Sequence, residues 1–159
     1  MTITKDGDAL FFIDDRIIHK YHIEVGLWVQ DYSMNWTYPP FSGGVVTDLD
    51  TGLVYGIEGI EGRLEKEIGN SDAPWRFTEF NPVNKSFTSV EMRGHPGSMM
   101  AVSMVYSSVA KRIFGYEHNY LPNDNKEALW SYNKISKNWT PVNATGDIPP
   151  LRSSPCFVS

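Results

Sequence analysis

The sequence predicts an all-β chain made of repeated four-stranded antiparallel units, and three observations predict it. An aromatic pair with six residues between its members recurs as Tyr21 and Trp28, Phe80 and Phe87, and Tyr132 and Trp139. Its copies lie 59 and then 52 residues apart, the scale of an array of supersecondary units. Short apolar runs alternate with period two, as in Trp75-Arg76-Phe77-Thr78-Glu79-Phe80, and no helix-length 3.6 periodicity competes with them. Finally, 13 Gly and 10 Pro punctuate a chain that is 13% aromatic, a composition that favours strands joined by many turns.

Taken in order, the first strands predicted are Ala9 to Ile13, Ile17 to Ile23 and Leu27 to Gln30. Gly44 to Asp48, Leu53 to Ile57, Trp75 to Phe80 and Ser86 to Glu91 follow. Met99 to Tyr106, Arg112 to Tyr116, Ala128 to Tyr132 and Trp139 to Val142 make a third set, and Pro155 to Val158 begins another unit. The aromatic pair marks the third and fourth strands of each unit. Asp50-Thr51-Gly52 reads as a tight hairpin turn in which Gly supplies a positive φ. Ser107 to Lys111 takes that place in the next unit, while Glu58 to Pro74 and Glu117 to Glu127 form longer polar connections.

Composition removes several function classes. The net charge of −5 comes with no Lys/Arg cluster, which disfavours binding to a phosphate backbone. The apolar stretches near Ala9 to Ile13 and Met99 to Tyr106 fall well short of a bilayer span. The lone Cys156 has no partner for an internal disulfide and reads as a small buried hydrophobe.

The pattern resembles the kelch-type β-propeller repeat in the divergent form of fungal kelch and galactose-oxidase-like propellers. The residues that carry the resemblance are the second strands ending in Gly (Leu53-Val54-Tyr55-Gly56 and Arg112-Ile113-Phe114-Gly115), the aromatic pair, and the passage from Gly146 to Ser154. The family's double glycine is replaced by Gly56-Ile57 and Gly115-Tyr116. The resemblance implies an incomplete first blade over 1–40, a second over 41–94, a third over 95–145, and the first strand of a following or closing blade over 146–159. Propellers close with about four to eight blades. Three units therefore imply either part of a longer propeller or a homodimer that completes a six-bladed ring.

Motifs for chemistry are sparse. Asp50-Thr51-Gly52 is also the tripeptide of retroviral-type aspartic proteases, but it follows Thr47-Asp48-Leu49 where a protease would want an apolar strand, no second protease-like segment is present, and the hairpin reading is preferred. Asp48 and Asp50 begin like a calcium loop without its bidentate Glu. Of the four histidines, His19 and His22 are three apart in a strand and so point to opposite faces, while His95 and His118 lie in loops. No catalytic residue, metal site or cofactor is expected.

The functional expectation is a noncatalytic binding module that holds a protein or carbohydrate through loops bearing Arg63, His118 and Tyr120. The alternative is a fragment of a propeller enzyme, of oxidase or glycosidase type, with its catalytic residues elsewhere. The N-terminus lacks the order of a secretory signal, which argues for the cytoplasm. Four sequons, at Asn35, Asn84, Asn138 and Asn143, argue instead for the secretory pathway and a glycoprotein. Asn35, Asn84 and Asn143 are the better glycan candidates, because Asn138 is followed at once by Trp139.

Overall fold

The computed structural model describes residues 1–14, 17–33, 44–57, 76–91, 102–117, 129–143 and 145. The described residues form an all-β structure of three antiparallel four-stranded meanders. The first contains β1 (Thr2–Ile3), β2 (Ala9–Asp14), β3 (Ile17–His22) and β4 (Leu27–Ser33). β5 (Val45–Thr47), β6 (Val54–Ile57), β7 (Arg76–Asn81) and β8 (Ser86–Glu91) make the second. The third is β9 (Val102–Ser107), β10 (Arg112–Glu117), β11 (Leu129–Asn133) and β12 (Asn138–Pro141). Within each sheet the strands lie in sequence order.

The expectation of an incomplete first unit with three strands is corrected by β1. This strand is only two residues long, too short for alternation to show, yet Thr2 and Ile3 pair with Phe11 and Leu10. Its turn is closed by Thr4, whose hydroxyl donates to Asp8 Oδ1 at 2.5 Å and which accepts the Ala9 N–H at 3.0 Å. The strand expected over Pro155 to Val158 lies outside the described residues, as does Cys156.

Each recurring aromatic pair is a directly opposed cross-strand pair: Tyr21 with Trp28, Phe80 with Phe87, and Tyr132 with Trp139. The six intervening residues are one further opposed pair plus a four-residue turn. Extended inward, each pair becomes a row across a whole sheet. The rows are Ile3-Leu10-Tyr21-Trp28, Thr47-Val54-Phe80-Phe87 and Tyr106-Ile113-Tyr132-Trp139.

Because side chains alternate across a strand, each sheet carries this row on one face and a second apolar set on the other. The sheets stack so that the second set of one meets the row of the next. Phe11 and Ile18 of the first sheet pack with Val54 and Phe80 of the second. Val46, Tyr55, Ile57 and Phe77 of the second sheet pack with Tyr106, Ile113, Tyr132 and Trp139 of the third. Phe77 stands edge-on to Tyr132 and Trp139, with centroids 4.7 and 5.5 Å away, a favoured aromatic geometry. The first strands also lie side by side, β1 next to β5 and β5 next to β9.

The row positions are equivalent in register but not in burial. Trp139 is 1% exposed and Phe87 half-buried, whereas Trp28 is 49% exposed. Trp28 therefore does not pack between sheets as Trp139 does. Its row faces away from the second sheet, so the stacking that covers the other two rows does not reach it.

Candidate functional site

Among the described residues, those with positive φ are Gly7, Gly26, Gly52, Lys85, Lys111 and Lys137, one in each turn that joins a first to a second or a third to a fourth strand. These turns join first to second and third to fourth strands, so in a meander they share one end of each sheet. Side-chain acceptors hold them locally. Asn81 Oδ1 accepts the Val83 N–H, Asn133 Oδ1 accepts those of Ile135 and Ser136, and Ser107 Oγ accepts that of Ala110. This is the side-chain-to-backbone bonding that makes Asn and Ser good turn residues.

The most concentrated polar cluster of the described residues is at this end, on the turn between β5 and β6. Asp48 is 0% exposed. Its Oδ2 accepts from Lys134 Nζ at 2.5 Å and its Oδ1 accepts the Asp50 N–H at 3.0 Å. Burial pushes the Asp48 carboxyl up, but hydrogen bonds from Lys134, Thr51 and the Asp50 N–H, with the lysine charge, outweigh it and hold the group below its ordinary value. Asp50 Oδ2 takes Lys111 Nζ at 2.8 Å and the Tyr106 hydroxyl at 2.5 Å. Those two bonds, the lysine's first, lower Asp50 as well. Burial, and then the bond to Asp50, push Tyr106 up, so it stays a phenol and a donor. Lys134 also lies over the Tyr106 ring, 4.8 Å from its centroid.

Lysines from three turns of two sheets thus converge on one turn of the sheet between them. Lys5 reaches the Asp50 carbonyl at 2.7 Å from the first sheet, and Lys111 and Lys134 come from the third. A fourth lysine, Lys85, pairs with Asp31 between the second and first sheets. The cluster ties sheets together at their turn end.

Its electrostatics oppose protease chemistry at Asp50-Thr51-Gly52. In such proteases two closely apposed aspartates share one proton because both cannot be ionised at once, whereas Asp50 is paired with Lys111 and held ionised. The tripeptide is a hairpin turn, with Gly52 at φ 81° and its N–H donating to the Asp48 carbonyl. Among the described residues no group of three or more His, Cys, Asp or Glu is arranged to hold a metal. Tyr132 is pushed up to about 12, by burial and then by the Glu79 charge.

Arg63, His118, Tyr120 and Asn35 lie outside the described residues, as does His95. Asn84 is exposed on the β7–β8 turn, where its Oδ1 accepts both the N–H and, at 2.7 Å, the hydroxyl of Ser86. Asn138 is half-buried in β12 and Asn143 exposed just after it. Sequence reasoning passed over Lys5, Lys111, Lys134 and Tyr106. One signal was readable: an apolar residue two positions before lysine recurs at Val83-Asn84-Lys85, Val109-Ala110-Lys111 and Ile135-Ser136-Lys137. The structure shows each triplet as the end of a turn, with its Val or Ile almost wholly exposed.

Compared with protein-family models and with curated proteins, the chain matches none.

Proposed function

We propose that the chain is a noncatalytic recognition module of kelch-like propeller blades, holding a protein or carbohydrate partner at the end opposite the turns. The observation that supports this most is the difference between the two ends of the sheets. The turn end is made of minimal hairpins cross-linked by Lys5, Lys111 and Lys134 on the Asp48–Asp50 turn. The connections 58–75 and 118–128 both join second to third strands of adjacent sheets, so both depart from the other end. Longer connections on a rigid scaffold are where recognition residues concentrate, and these two contain Arg63, His118 and Tyr120. The stacked meanders, with first strands adjacent, support the blade reading itself.

A glycan array probed with the 159-residue chain tests the carbohydrate arm. Binding that falls at least about tenfold (~1.4 kcal/mol) in Arg63→Ala or Tyr120→Ala, and is unchanged in Ile135→Ser at the turn end, is the expected result. Binding lost only in Ile135→Ser would place recognition at the wrong end. Copper-dependent peroxide release from galactose would overturn the noncatalytic reading.

A further inference from the structure

The two internal sheet junctions use the same pairing of faces, and the outermost faces of the stack are the two halves of that pairing. On the first sheet the row Ile3-Leu10-Tyr21-Trp28 corresponds to the rows buried in the other sheets. Ile3 is 41% exposed where the equivalent Tyr106 is 5%, and Trp28 differs from Trp139 in the same sense. On the third sheet Val105, Phe114 and Leu129 occupy the register positions of Val46, Tyr55 and Phe77. The latter three are buried against the next sheet, and the former three are half-buried.

We infer that the row face of the first sheet is a docking surface for the outer face of the third sheet of a second copy of this chain. The contacts follow from the junctions already formed. Val46 packs in one cluster with Tyr106, so Val105 of one copy meets Ile3 of the other. Phe77 packs on Tyr132 and Trp139, so Leu129 meets Tyr21 and Trp28. Tyr55 lies 6.3 Å from Tyr132, which sets Phe114 against Tyr21. The chemistry matches at each point: apolar on apolar, with aromatic rings at the centre. Such an interface is heterologous, each copy offering a different face, and it either closes into a ring or continues as an open chain of copies. This assembly stands independently of whether the module binds a carbohydrate.

Sedimentation velocity over a wide range of micromolar concentrations tests it. The unmodified chain should sediment as a dimer or a longer assembly, either of which supports the face pairing. Trp28→Glu, at a position 49% exposed, should be a folded monomer. Leu129→Lys should likewise lose self-association, and mixing it with Trp28→Glu in equal amounts should restore a dimer, because the unaltered third-sheet face of the Trp28→Glu copy meets the unaltered first-sheet face of the Leu129→Lys copy. Val109→Glu, on a turn of the same third sheet, should leave association unchanged. A concentration-independent monomer of the unmodified chain would overturn the inference. So would a Trp28→Glu protein that associates as before, or a mixture that stays monomeric.

Discussion

Lys134→Met removes the ammonium that compensates a fully buried carboxylate while keeping most of the stem that lies over Tyr106. Breaking a buried ion pair by deleting one partner costs about 3–5 kcal/mol, because the remaining charge is left without its counterion. Asp48 keeps two other donors, the Asp50 N–H and the Thr51 hydroxyl, so the lower part of that range applies, roughly 3 kcal/mol. The loss should depend on pH in a defined direction. In the native protein Asp48 is held below its ordinary value of 3.8, so its contribution is present above that value and lost as pH falls through the lowered one. In the variant, burial without Lys134 raises the carboxyl, which takes up its proton at a higher pH. The stability gap is therefore widest near neutral pH and narrows on acidification, first as the variant's Asp48 protonates and then as the native one does. Urea unfolding of both proteins at several pH values measures this gap directly. A loss under about 0.5 kcal/mol at neutral pH, the range of ordinary surface substitutions, would show that the pair does not staple the sheets. A gap independent of pH would refute the electrostatic account.

Trp139→Ala should cost about 3–5 kcal/mol by emptying the space beside Phe77 and Tyr132, whereas the register-equivalent Trp28→Ala should cost much less; equal losses by urea unfolding would mean the first sheet's row is covered after all. Lys137→Gly relieves a non-glycine residue at φ 54° and should stabilise the protein by about 0.5–1 kcal/mol, with an unchanged or lowered midpoint counting against the turn geometry. If the chain passes through a eukaryotic secretory pathway, Asn84 should carry a glycan and the half-buried Asn138 should not. Mass spectrometry before and after enzymatic deglycosylation decides that, and sugar on Asn138 alone would contradict the placement of both residues.

Much of the strand content was legible because alternation and turn chemistry are local. Eleven of the twelve strands follow from runs such as Ser86 to Glu91, and the aromatic pairs proved to be register partners because a four-residue turn fixes the offset. β1 escaped because two residues carry no period, although Asp6-Gly7 ahead of Ala9 was a usable hairpin signal. The ion pairs were not legible. Lys134 and Asp48 are 86 residues apart and meet only because two sheets stack with a particular offset. Trp28 illustrates the same limit, since its strand register was readable and its exposure depends on what neighbours the sheet.

The six left-handed turn residues have a kinetic consequence. Each turn forms between neighbours in sequence, so every hairpin can close early without waiting for a distant segment, and the low sequence separation of these contacts favours fast closure. Stacking is the step that joins remote parts of the chain. The second sheet alone is covered on both faces by described partners, so its amides should be the last to exchange with solvent. The hydrogen bonds between β6 and β7 would then report the opening of the whole stack, while β4, on the exposed margin, would report local fraying.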